Sequence, residues 1–152
     1  MNKEVIIETV NRFFISVDEN NWEEVARIFS KRVLLDYSSM SGEDPAVLNS
    51  QQIISDWKKF MPGFDKTHHQ IGNYLVTKNI ENQIAVHCYG TASHYLMNET
   101  ENNVWTVVGT YDIELNDEKG IYRISKFKFN LKYTYGNKEL PRMAVARIAP
   151  PI

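Results

Sequence analysis

The chain has 152 residues, 43% of them hydrophobic and 12% aromatic. That is enough for one domain with a single packed core, and it excludes a disordered chain. The formal net charge is −2, and without a basic stripe to displace counterions a nucleic-acid surface is not expected.

At the N-terminus, Val5, Ile6, Val10, Phe13, Phe14 and Val17 recur at helical spacing and predict an amphipathic helix over 3–17. Lys3, Glu4, Glu8 and Arg12 break into its apolar pattern, so a signal peptide is not expected. Asp18-Glu19-Asn20-Asn21 interrupts the pattern. Asn20 or Asn21 can cap a short second helix over 22–29, which has Glu23 and Glu24 in its first turn. A short strand follows over 33–37. The polar stretch 38–49, with Gly42 and Pro45, reads as a loop. Ser50 can cap a third helix running from 51 to about 60, with Ile53, Ile54, Trp57 and Phe60 on its inner side and Pro62-Gly63 as its stop.

From Thr67 onward the period changes to two. Four strands are predicted, at about 67–78, 83–97, 103–115 and 121–134, with turns at 79–82, 98–102 and 116–120. They exceed the usual 5–6 residues, as strands do when an antiparallel sheet curls deeply and bends at bulges. The expected fold is therefore α+β: a cone-shaped, curved antiparallel sheet with the N-terminal helices packed on it. One domain is expected over 1–139, with a tail over 140–152. Such a cone is a ready pocket for a small apolar molecule. No apolar run approaches the ~18 residues of a membrane helix, so neither a membrane nor a nucleic acid is an expected partner. The lone cysteine, Cys88, lies in an apolar run and reads as a buried structural thiol. A reducing compartment, the cytoplasm, is the expected location.

Three of the four histidines fall in two strand segments, Thr67-His68-His69-Gln70-Ile71-Gly72-Asn73 and Gly90-Thr91-Ala92-Ser93-His94. Histidine changes charge near neutral pH, so partly buried histidines on neighbouring strands suit a pocket that moves protons. Alternation puts Ile84, Val86, Cys88, Gly90, Ala92 and His94 on the core face, unless a bulge at Gly90 reverses it. His69 shares a face with Ile71 and Asn73 and is preferred to His68 as the inward residue. Each histidine could equally be a core or rim side chain satisfied by a backbone partner. Asp18 follows the apolar stripe of the first helix. It is either the cap of the second helix or a carboxylate at the pocket that orients a histidine. Of Asp36 and Tyr37 only one can face the pocket, and Tyr37, a phenol able to line an apolar cavity and still donate, is the better candidate.

These residues carry a resemblance that covers nearly the whole chain. Val17-Asp18-Glu19-Asn20-Asn21-Trp22, Leu35-Asp36-Tyr37, the two histidine segments, Gly109-Thr110-Tyr111-Asp112 and Ile121-Tyr122-Arg123-Ile124 are similar to the NTF2-like superfamily, and within it to the SnoaL-like branch that includes scytalone dehydratase. The resemblance implies Asp18, His69 and His94 as the proton-transfer set and Tyr37 as a pocket tyrosine. It departs at Val17, where that enzyme has a second tyrosine. What it implies is a cofactor-independent dehydratase, or an isomerase or cyclase, acting on a small, fairly apolar carbonyl compound. His69 would take and return the proton, Asp18 would orient it, His94 would assist as acid, base or donor, and Tyr37 would polarise the carbonyl. No cofactor is expected, and a catalytic metal is disfavoured because no HxH or HxxxH spacing is present. A non-catalytic binding module with the same cone is the alternative. Thr91, Ser93, Lys126, Lys128 and Lys132 beside Tyr89 and Tyr95 make an outer face that fits a homo-oligomer, dimer or trimer. The apolar tail from Leu140 could be a lid, a subunit contact or a segment packed outside.

Overall fold

The computed structural model describes residues 1–78 and 83–149. The expected turn at 79–82 and the last three residues of the tail lie outside the described residues. Helix α1 (Lys3–Asp18) begins at Asn2, whose side chain accepts from the Val5 amide. It buries Ile6, Val10, Phe13, Phe14 and Val17, the stripe its spacing predicts. It stops because Asn20 takes a left-handed φ of 55°, a conformation asparagine tolerates at helix ends. Asn21 then caps α2 (Trp22–Ile28) by accepting from the Glu24 amide. Asp18 caps nothing and is left free for another partner.

Strand β1 spans Phe29–Asp36 and is longer than the predicted strand, because it pairs parallel with the last strand of the sheet. The stretch read as a loop contains one helical turn, α3 (Ser38–Ser41), and a four-residue edge strand, β2 (Ala46–Asn49), antiparallel to β1. Both are too short and too exposed to leave an apolar period. Helix α4 (Ser50–Trp57) is capped by Asn49 in a capping box with Gln52, not by Ser50, which is its first helical residue. A 3₁₀ turn, Met61–Gly63, follows.

The four long strands are β3 (Lys66–Lys78), β4 (Ile84–Tyr95), β5 (Val104–Glu118) and β6 (Ile121–Gly136). They form the expected antiparallel meander. With β1 and β2 the sheet is mixed and six-stranded, in the order β2-β1-β6-β5-β4-β3. The turn between β5 and β6 is shorter than predicted. Lys119 and Gly120 both have positive φ, 57° and 87°, as a two-residue hairpin turn requires.

Register breaks mark the bends. One in β3 falls between Gly72 and Leu75; two lie between β5 and β6, at Val108/Gly109 and Glu114/Leu115. None interrupts β4 against β5. Alternation therefore holds along β4, and Ile84, Val86, Cys88, Ala92 and His94 are all buried. In β3 it fails past the break. Asn73 takes a φ of 54° and is exposed, whereas Tyr74 and Val76 turn inward. The expected shared face of His69, Ile71 and Asn73 thus ends at Ile71.

The core lies between the concave face and the helices. Phe13, fully buried, meets the rings of Phe14, Phe29, Trp57 and Phe127 at centroid distances of 5.0–6.1 Å. Cys88 is fully buried, and burial pushes its thiol up to about 12, which makes it inert. The outer face exposes Tyr89, Tyr95, Tyr133 and Tyr135, with Lys132 Nζ 4.1 Å above the Tyr89 ring. Among the described residues no helix is long and apolar enough to cross a membrane.

The tail forms helix α5 (Leu140–Ile148), which buries Leu140 and Ala144 against the 3₁₀ turn. The Arg147 guanidinium donates to the Gly63 carbonyl (2.9 Å) and to Asp65 Oδ1 (2.8 Å). A Cβ on Gly63 would come within 2.0 Å of the Ala144 carbonyl oxygen, a backbone atom that cannot step aside. Gly63→Ala is therefore expected to cost about 1–3 kcal/mol by overpacking. Arg147→Ala, which breaks a pair exposed on both sides, should cost under ~1 kcal/mol. Urea unfolding of the two variants checks this order, and a Gly63→Ala midpoint equal to wild type would mean that α5 does not seat on the turn.

Candidate active site

A cavity of about 270 Å³ opens between the concave face and the helices. Its walls are mainly aromatic: Phe13 and Phe14 from α1, Trp57 and Phe60 from the α4 end, Trp105 from β5, and Phe127 and Phe129 from β6. The polar side chains that reach it are few. His69 comes from β3, His94 from β4, Tyr37 from the end of β1 and Tyr111 from β5.

Asp18 is the last residue of α1 and turns its carboxylate onto β3. It accepts three hydrogen bonds there: Thr67 Oγ1 to Oδ1 (2.9 Å), the His69 backbone amide to Oδ2 (2.8 Å) and His69 Nδ1 to Oδ1 (2.7 Å). Burial alone would raise the Asp18 pKa. The His69 ring and amide, together with the Thr67 hydroxyl, outweigh it and hold the carboxyl below its ordinary value. Asp18 is then an anion and an acceptor only, so Nδ1 of His69 must carry the proton. In the neutral ring Nε2 keeps its lone pair. His69 packs against Phe14 at 5.4 Å and only 10% of its side chain is exposed.

His94 is buried, with Nδ1 3.0 Å from the Trp105 carbonyl oxygen. A carbonyl only accepts, so this nitrogen too carries the proton. The ring lies against Trp105 (4.5 Å) and Phe64 (4.8 Å), and 6.3 Å from His69. Burial drives its pKa down to about 4, against the opposing pull of the Trp105 carbonyl. His94 therefore stays neutral in this pocket, with Nε2 as an acceptor.

Tyr37 lines the cavity between Phe127 and Phe129, and burial raises its phenol. Its neighbour Asp36 turns the other way, accepting from the Ser38 amide and hydroxyl beside Lys126 and Lys128. His68 is exposed, with Nε2 3.3 Å from Gln70 Oε1. The fourth histidine, His87, lies on the outer face, with Nδ1 2.8 Å from Asp112 Oδ1. Among the described residues no three His, Cys, Asp or Glu side chains group as metal ligands.

The structure thus brings His69, His94 and Tyr37 to one cavity, with Asp18 behind His69 and not among the lining residues. Tyr111 is a further polar residue there, outside the candidates taken from the sequence. The signal that finds it is the period-two row of Trp105, Val107, Tyr111, Ile113 and Leu115, all buried. Gly90 makes its place: a Cβ there would stand 2.3 Å from the Tyr111 ring.

No curated protein matches the chain. Among solved structures, the Kfla4162 protein from Kribbella flavida superposes with a TM-score of 0.81 at 23% identity, over 91% of this chain and 93% of that one. A candidate scytalone dehydratase from Novosphingobium aromaticivorans gives 0.73 at 17%, over 89% and 87%. A type 2 hexachlorocyclohexane dehydrochlorinase (LinA) gives 0.69 at 13%, over 89% and 88%. At such identities the likeness is one of fold. The sequence pattern of the SnoaL-like domain matches residues 2–128, and the chain belongs to that family, on the NTF2-like scaffold its architecture displays.

Proposed function

We propose that the protein is a cofactor-independent acid/base enzyme that acts on a small, fairly apolar carbonyl compound, as a dehydratase or as an isomerase or cyclase. The observation that carries this reading is the 2.7 Å contact between His69 Nδ1 and Asp18 Oδ1 at the wall of an aromatic cavity. It fixes the tautomer that leaves Nε2 unprotonated, and it stabilises the imidazolium formed when Nε2 takes a proton.

His69 Nε2 removes a hydrogen α to the carbonyl, and the C–H electron pair moves into an enolate. In a dehydration the pair returns, the C–O bond to a β-hydroxyl breaks, and His69 hands its proton to the departing oxygen, giving water and an enone. In an isomerisation the proton returns to another carbon. Tyr37, whose phenol stays protonated, donates to the enolate oxygen, a contribution of ~10²–10³ in rate for such a donor. His94 holds a substrate hydroxyl or a water through Nε2. It serves as an acceptor and not as the acid, since it would need about pH 4 to become charged.

The probe for this reading is 2-tetralone, a small fused-ring ketone with acidic α-hydrogens, followed by proton NMR in deuterated buffer. The protein should exchange its α-hydrogens. His69→Ala should slow the exchange ~10²–10⁴-fold without loss of fold. Asp18→Asn should do so by at least ~10²-fold, because an amide can present a donor to Nδ1 and turn the imidazole to the wrong tautomer. Exchange by His69→Ala near the wild-type rate would end the assignment. A protein that binds the ketone but never exchanges it would be a binding module.

The neutrality of His94 has a cost in acid. Its folded pKa is about 4 against an ordinary 6.5, so the unfolded chain takes up the proton first. The stability His94 leaves intact above pH 6.5 is lost as the pH falls from 6.5 towards 4. About 2 kcal/mol should disappear between pH 7 and pH 5 on this account. Urea midpoints across that range measure it, and His94→Gln should flatten the slope. An unchanged slope in that variant would place the acid sensitivity elsewhere.

A further inference from the structure

One lining residue marks the way into the cavity. Met40 is 38% exposed, whereas every other residue of the wall is buried or half-buried. Met40 stands on α3, a turn of four residues, too short to hold a helical shape by itself in water. A single hydroxyl fastens this turn to the sheet. Strand β1 ends at Asp36, opposite Lys128 of β6. Beyond that point the Phe129 carbonyl and the Leu131 amide have no strand on their β1 side. Ser39 Oγ takes both: it donates to the Phe129 carbonyl oxygen (2.9 Å) and accepts from the Leu131 amide (2.9 Å). In a parallel ladder the bonds slant from one residue to two on the facing strand, so this side chain stands in for the next residue that β1 lacks. Apart from bonds within the turn, to its flanks and to Asp36, these two are the hydrogen bonds that α3 makes to the described residues.

We propose that α3 is the door of the cavity and Ser39 its latch: small apolar ligands enter and leave past Met40, between α3 and the end of α4, each time the hydroxyl releases β6. Tyr37 and Trp57 both lie against Phe127, at 6.1 Å each, so the α3 and α4 sides of the opening converge on one ring. Tyr37 precedes the turn and Met40 is its third residue, and both line the cavity. Seating the latch therefore sets both side chains on the ligand together. The turn is built to swing. It buries none of its residues, so opening gives up little apolar contact. On one side Asp36 keeps hold of the Ser38 amide (2.9 Å) and hydroxyl (2.6 Å). On the other, Gly42 takes a φ of 77° and residues 42–47 are all exposed. The Leu131 amide lies at the surface, so water can take over from Ser39 when the door opens. Closure then rests mainly on two hydrogen bonds, together worth ~5-fold or more in the balance of closed over open.

The test follows the binding of 2-tetralone by stopped flow, read as quenching of Trp57 and Trp105, which line the cavity. Ser39 is not among the lining residues, and its latch is closed in the free and the loaded protein alike. Ser39→Ala should therefore raise the association and dissociation rates together, ~5-fold or more each, and leave Kd within about twofold. Ser39→Thr, which keeps the hydroxyl, should stay at the wild-type rates. Met40→Trp, which fills the doorway and leaves the latch intact, should slow both rates. Urea midpoints near that of the wild type establish that the variants are folded. Wild-type rates in Ser39→Ala overturn the latch. A weaker Kd carried by dissociation alone makes Ser39 a support of the wall and overturns the gating. Unchanged rates in Met40→Trp place the entrance elsewhere and overturn the door. None of these readouts uses α-hydrogen exchange, so loss of the acid/base chemistry leaves the door standing, and loss of the door leaves His69 its role.

Discussion

The Asp18 carboxylate is the contact on which the site depends. It sits where α1 ends, and its three acceptor bonds all go to one segment of β3. Strand β3 is the edge of the sheet, paired only with β4. The outward amide of His69 would have no ladder partner, and Asp18 supplies one. Charge-assisted bonds of this kind are stronger than neutral ones, and here one group meets a structural and a chemical requirement together. It seats the helix on the strand and fixes which nitrogen of His69 is free. At the other end of the contact the Tyr74 hydroxyl donates to Asn11 Oδ1, so α1 is fastened to β3 on both sides of the bulge.

The histidines differ because their partners differ. His69 donates through Nδ1 to the Asp18 carboxylate. His94 faces a carbonyl in an aromatic nest and resists charging. Two imidazoles 6.3 Å apart thus have different surroundings, one held by a carboxylate and the other by a backbone carbonyl. The difference comes from local solvation and not from strand position, since both stand on adjacent, regularly paired strands.

How much was legible in the sequence follows from which elements carry an uninterrupted period. The α1 stripe and the β4 row keep theirs from end to end, so the buried face of α1 and the inward side of His94 are readable from spacing, whereas spacing leaves Asp18 open between a helix cap and a pocket carboxylate, and His69 is readable only on the part of β3 before its break. Asn73 could not, because a one-residue break in β3 exchanges the faces and asparagine gives little warning that it will adopt a left-handed φ. Residues 38–49 carried no period, since a single helical turn and a four-residue edge strand are mostly exposed. Asn49 and Ser50 are both good caps, and only the hydrogen bonds with Gln51 and Gln52 decide between them. Tyr111 was hidden differently. Its row is readable, but that an inward tyrosine is a cavity wall and not core filling depends on Gly90, a strand away in space and 21 positions away in sequence.

The bulge at Asn73 has a consequence for the protein in a crowded solution. A straight edge strand of thirteen residues would offer a long row of free amides and carbonyls to another chain, a template for edge-to-edge aggregation. Here the first part of the edge is blocked by a carboxylate already bonded to it, and the second part is turned out of line by the bulge. The exposed Leu75 therefore sits on a kinked stretch that a straight strand cannot easily join. The carboxylate that holds His69 on the inside and the bulge that follows it thus also guard the sheet on the outside, which lets the protein keep a polar strand at its margin without covering it.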